Sequence, residues 1–197
     1  MVIDAADEIG CPPTVARLPY PDPDSASEPV REALGALPPL NIFRMLSHAE
    51  SAFRPVLRFG GALLGRLELD PRLRELAILQ VAAVAQARYE WVQHAEIARH
   101  VGVEQAQIDA VERGEFDHES LGGSERAVLA FARDVVAGPH VGEATFAALR
   151  DTLSPREIVE LLLTIGNYLM LARVTTTLEL ELDEPAGPDV LPRGGAP

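Results

Sequence analysis

Three residues near the middle of the chain have the types and the spacing to move protons: Glu75, Glu90 and His94. Imidazole titrates near neutrality and a carboxyl group in apolar surroundings is pushed up toward the same range, so one group can accept a proton while another donates. The spacing turns all three inward. From Leu76 to Ala85 the only polar residue is Gln80, and Glu75 shares its helical face with Leu79 and Ala82. In the next segment Glu90, His94, Ile97, Ala98 and Val101 fall on one stripe, with Glu96, Arg99 and His100 on the outer face. Burying a lone carboxylate is expensive, so Glu75 requires a partner or a raised pKa.

The same residues admit two other readings. His94 can be a satisfied core histidine tied up by Glu75, because structural ion-pair networks also occur in interiors. Glu90 and His94, one turn apart, can also be two ligands of a metal with Glu75 as a third. No metal is expected, since one histidine and two carboxylates can satisfy one another by hydrogen bonding. Tyr89 and Trp91 flank Glu90 and point about 100° away from it on either side. Trp91 is read as packing, Tyr89 as a wall of a substrate pocket. Arg173, in an otherwise apolar stretch, requires an anion, and a structural carboxylate is favoured over the acid group of a substrate.

The elements that must hold these groups read as helices throughout. Asp70 and Pro71 open the helix that carries Glu75. Upstream, short helices are expected from Pro29 to Leu37 and after Asn41, and a longer one from Glu50 to Arg66, where Gly60-Gly61 softens the helix or permits close helix contact. Downstream come Glu104 to Arg113, a helix capped by Ser124 and stopped at Gly138-Pro139, and a long apolar one opened by the capping box Ser154-Pro155-Arg156-Glu157. That last helix has more apolar surface than one small domain covers, which points to a subunit interface. No strand alternation persists anywhere. Residues 1–27, rich in proline, form an arm that wraps a neighbour or a free tail; residues 28–183 form one helical domain; residues 184–197 are expected to be disordered.

The run Arg74-Glu75-Leu76 through Tyr89-Glu90-Trp91-Val92-Gln93-His94 resembles the carboxymuconolactone decarboxylase family, which includes the alkyl hydroperoxidase D peroxidases. The likeness extends from about Pro38 to Asp183, through Asn41-Ile42-Phe43-Arg44-Met45-Leu46-Ser47-His48 and Leu171-Ala172-Arg173. It implies an all-α, alkyl hydroperoxidase D-like helical bundle assembled as a homo-trimer or homo-hexamer, and it places His48 beside the pocket as a substrate contact. The peroxidase branch carries a glutamate, a Cys-x-x-Cys pair and a histidine four residues on. Glu75 and His94 match the outer two, but Ala87 and Glu90 stand at the cysteine positions. Without a thiolate there is nothing to attack peroxide or close a disulfide. The expected function is therefore a cofactor-free decarboxylase or lyase-like enzyme acting on a small carboxylated, lactone or keto compound. His94 is its main acid/base, Glu75 the orienting partner and Glu90 a second proton carrier or substrate contact. The rivals are a hydroperoxidase-like antioxidant protein and a non-catalytic member that binds small molecules.

Composition narrows the partners. A formal net charge of −13 over 197 residues argues against a phosphate-tracking surface, so nucleic acid is not expected. The single cysteine, Cys11, excludes an internal disulfide and a cysteine-based metal site. Met1 to Ile9 has three acidic residues and no basic start, and no uninterrupted apolar run is long enough for a bilayer, so a cytoplasmic protein with no membrane partner is expected.

Overall fold

The architecture follows from one helix that is apolar on every side and must be surrounded. In the computed structural model, which describes residues 15–191, this is α4 (Pro71–Val84), buried continuously from Arg74 to Ala82. Around it pack α5 (Arg88–His100), α6 (Gln105–Arg113), α7 (Gly123–Ala137) and α9 (Pro155–Leu178). The remaining helices are α1 (Glu28–Gly35), α2 (Asn41–Leu46), α3 (Glu50–Gly65) and α8 (Glu143–Arg150), and no strand occurs among the described residues. The protein is all-α with an alkyl hydroperoxidase D-like fold. Cys11 and the rest of 1–14, like 192–197, lie outside the described residues.

Two apolar clusters flank α4. Ile78, Val81, Phe131, Leu149, Leu161 and Ile165 join it to α7, α8 and α9. Leu76, Leu79, Trp91, Ile108, Val111 and Leu129 join it to α5, α6 and α7, so Trp91 is a packing residue. Fully burying a side chain of this kind contributes roughly 1.5–3 kcal/mol, which makes α4 the fixed reference of the bundle.

Local chemistry sets the helix ends. Asp70 accepts from the backbone N–H groups of Arg72 and Leu73, and Ser154 and Glu157 satisfy each other's backbone N–H. Ser124 is not a cap: it lies within the first turn of α7, whose cap position is Gly122, two residues earlier. The α8 helix had no expected counterpart; its eight residues bury only Leu149, too short a pattern to stand out. Between α4 and α5 the chain reverses through Gln86 in the left-handed region (φ 54°), with Ala87 N–H bonded back to Ala82 C=O at 2.8 Å. This tight reversal sets α5 alongside α4 and brings His94 over Glu75.

The arm and the tail meet each other. Arg17 N–H donates to Leu178 C=O, Ala16 N–H to Glu181, and the Tyr20 hydroxyl to the same carboxylate. Within 15–27, then, the arm lies on its own chain. The disorder expected from residue 184 is corrected through residue 191, because Gln93 grips the segment. Its amide donates to the carbonyls of Asp183 and Glu184 and accepts from Ala186 N–H at 3.0 Å. This strap ends in a 3₁₀ turn, Gly187–Val190, packed on α5.

By length and composition α9 is apolar enough to cross a membrane, although Glu160 and Arg173 interrupt its apolar run. In the bundle one face of it packs on α4, with Glu160, Thr164, Asn167, Tyr168 and Thr175 buried.

Candidate functional site

A cavity of about 870 Å³ lies between α2, α3, α5, α9 and the strap. Its walls are mostly apolar, with Ile42, Phe43, Leu57 and Leu171 prominent, and its polar groups come chiefly from α5 and α9: Tyr89, Glu90, Gln93, His94, Asn167 and Tyr168. Gly60 and Gly61 line it from α3; no other group approaches the place of a Cβ at either within 4 Å, so they open onto the cavity rather than permitting close helix contact. Such a largely apolar concavity with few convergent polar groups suits a small molecule.

His94 stands at the floor. Its Nδ1 lies 2.8 Å from Oε2 of Glu75, which is wholly buried behind it. The other Glu75 oxygen accepts from Arg74 Nε at 2.9 Å, and Arg74 donates in turn to Leu64 C=O at 2.8 Å. Arg74 offsets the carboxylate charge, leaving Glu75 to accept the Nδ1 proton. That hydrogen bond fixes the ring orientation and tautomer, so Nε2 is the nitrogen with a lone pair to offer. Tyr168 packs edge-on against the imidazole, with ring centroids 4.6 Å apart. Burial pushes the Tyr168 phenol well above its usual range, with the Glu75 charge adding to the effect.

Glu90, one turn before His94, has a different environment. It is buried, and the Thr175 hydroxyl lies 2.9 and 2.8 Å from its two oxygens. Burial raises its pKa above the ordinary 4.5, against the lowering pull of the Thr175 hydrogen bond and of His94. Two carboxyl groups of one site are thus held differently, Glu75 by a guanidinium and Glu90 by a neutral hydroxyl.

Tyr89 is a wall of the cavity, with its hydroxyl donating to Asp183 and accepting from Ile42 N–H at 3.2 Å. Burial and the Asp183 hydrogen bond push that phenol far above its usual range. His48 does not reach the cavity. It is exposed, and its Nε2 donates to Pro19 C=O at 2.8 Å, so its role as a substrate contact is not supported by its position. Arg173 is likewise exposed and outside the cavity. Among the described residues no three of His, Cys, Asp and Glu gather into a metal-holding cluster.

Sequence reasoning gave no role to Arg74, Asn167, Tyr168 or Thr175. Arg74 adjoins Glu75 at the start of an apolar run, where a second buried charge is the natural counter-ion. The other three are polar interruptions of the long apolar α9, and polar positions on such a helix are where a site is to be sought.

Comparison with known proteins agrees with this fold. Residues 50–134 match the carboxymuconolactone decarboxylase family. That span holds Arg74, Glu75, Glu90 and His94, while the α9 side of the cavity falls beyond it. A peroxidase-related alkylhydroperoxidase AhpD core protein from Ralstonia eutropha JMP134 superposes with a TM-score of 0.75 at 23% identity, over 87% of this chain and 94% of that one. A peroxidase-related protein from Silicibacter sp. TM1040 gives 0.71 at 19% identity, over 85% and 92% of the two chains. The debrominase Bmp8, solved with 2,3,4-tribromopyrrole, gives 0.64 at 20% identity, over 82% and 86%. These likenesses establish the fold. No curated protein matches the sequence.

Proposed function

We propose that this protein is an acid–base enzyme of the lyase or isomerase type, acting next to a carbonyl group of a small lactone, ketone or keto acid. The observation that carries the reading is the 2.8 Å contact between His94 Nδ1 and the wholly buried Glu75, on a histidine that faces a cavity beside a second carboxyl group. In the proton-transfer step His94 Nε2 removes a proton from the carbon next to the carbonyl; the C–H electron pair passes into the enolate, and Glu90 in its protonated form, which burial favours, hydrogen-bonds or protonates its oxygen. Returning the proton to another carbon completes an isomerisation. In a decarboxylation the C–C bond to carbon dioxide breaks instead, and protonated His94 delivers its proton to the carbanionic carbon. Ala87 and Glu90, at the positions of the peroxidase cysteines, favour this over thiol chemistry.

The test is deuterium incorporation. Small ketones and lactones, and carboxymuconolactone, are incubated with the protein in D₂O and followed by NMR. Enzyme-dependent exchange or carbon dioxide release that disappears in His94→Ala supports the reading, and no exchange across the series counts against it.

We also infer a homo-oligomer of at least three subunits. Val159, Leu162, Leu163 and Met170 form an exposed apolar stripe on α9, a surface of the kind an interface covers. A monodisperse monomer by light scattering at micromolar concentration would refute it.

A further inference from the structure

Among the described residues four buried side-chain polar atoms lack a hydrogen-bond partner, and two of them are Nδ2 and Oδ1 of Asn167. Of the residues concerned, Asn167 alone lines the cavity, and it is only 4% exposed. A buried carboxamide with neither end satisfied is uncommon in folded proteins and calls for a partner that arrives from outside. The carboxamide is adjustable about its own side-chain torsions and presents a donor and an acceptor side by side.

Charge supplies a second, independent observation. All 17 cationic side chains of the protein are arginines, and none of the described ones lines the cavity. Arg74 approaches from behind and is engaged by Glu75 and Leu64 C=O. An ionised carboxylate entering this space would shed its water against apolar walls, and among the described residues no guanidinium lines the cavity to meet it. A neutral molecule meets no such penalty, and the apolar walls reward it.

We propose that the cavity takes an uncharged, largely apolar molecule carrying an adjacent hydrogen-bond donor and acceptor, and that Asn167 turns its carboxamide onto that edge. Amides, lactams and hydroxy ketones share this chemistry. The proposal concerns the cavity of the proton-transfer reading and narrows its substrate class to neutral compounds, which favours the isomerisation over the decarboxylation; it is tested by binding, so the two can fail separately.

Three probes of one shape decide it: 2-naphthamide, 2-naphthoate and 2-ethylnaphthalene, titrated calorimetrically at about pH 8, where the acid is ionised. The amide should bind about tenfold or more tighter than either companion, the return expected from a paired hydrogen bond that leaves no group unmatched. In Asn167→Leu the amide should lose its advantage over 2-ethylnaphthalene, and the variant should melt no lower than the wild type because two orphaned atoms are gone. Asn167→Asp, nearly isosteric, serves if the leucine variant does not fold, and should lose the amide preference too. Tighter binding of 2-naphthoate, an amide preference that survives at position 167, a lower melting temperature in Asn167→Leu, or no binding by any probe would overturn the proposal. His94→Ala should keep the amide preference. Absent deuterium exchange with that preference intact removes the proton-transfer reading alone, and the reverse pattern removes the role of Asn167 alone.

Discussion

The floor and the rim of the cavity are built on opposite plans. The floor is Arg74, Glu75 and His94 on two adjoining helices, where each charge is enclosed and each polar contact is spoken for by a neighbour. The rim is the strap, which lines the cavity through Asp189, Val190 and Leu191 and is joined to the bundle by separate hydrogen bonds across long stretches of sequence, such as Asn41 to Asp183 and Gln93 to Glu184. Shifting one member of the floor strands a buried charge. Losing one bond of the rim costs only about 1 kcal/mol net. Chemistry is placed where the fold cannot yield, and access where it can.

The sharpest way to break this comparison is at the floor. Once a substrate is in hand, His94→Ala and Glu75→Gln should each lower turnover by about 10²–10⁴-fold with the assembly intact. Their double mutant should lose little more than the worse single one, because the two act as a unit; losses that multiply would separate them.

Next comes Arg74→Met, which keeps the bulk but leaves the Glu75 charge buried beside an uncharged side chain. It should cost roughly 3–5 kcal/mol in denaturant unfolding, as removal of one partner of a buried pair does. A change under about 1 kcal/mol, the scale of an exposed pair, would mean that water reaches Glu75.

Glu90 gives a smaller, pH-dependent effect. Its pKa is raised in the folded state by burial, so folding binds the proton more tightly than the unfolded chain does. The stability this brings is present below the ordinary value of 4.5 and is lost as pH rises through the folded value. Glu90→Gln has no such loss. Its melting temperature should match the wild type under acid conditions and pull ahead by a few degrees toward neutral pH, at about 2–4 °C per kcal/mol for a chain of this size. A gap that closes with rising pH would reverse the sign of the shift at Glu90.

The smallest effect is expected at the rim. Gln93→Ala should lower stability by only about 1–2 kcal/mol while raising hydrogen exchange in 184–191. Unchanged exchange there would show that the strap is held by something other than Gln93.

The same contrast explains what the sequence revealed. Glu75, Glu90 and His94 were legible because a helix repeats its face every three to four residues. The caps at Asp70 and Ser154 were legible too, being written in four consecutive residues. The rim was not. Gln93 meets Glu184 across 91 residues, and a proline- and glycine-rich tail carries no periodicity to announce that it will dock. His48 is directed by the fold to the carbonyl of Pro19 in the arm, a partner that its place just after α2 does not reveal. Asn167 was hidden by its company, one polar residue in a helix read for its apolar surface.

Gly60 and Gly61 give the cavity an adjustable size. Each stands within α3, where alanine would favour the helix by roughly 1 kcal/mol, and each has open space where a methyl group would sit. The helix therefore forgoes firmness at two successive positions, and the room left over belongs to whatever enters. Filling that room one methyl at a time would trade breadth of ligand for rigidity of wall, on a helix that supplies none of the proton-carrying groups. Selection acting on these two residues can change which molecules are admitted without disturbing what is done to them.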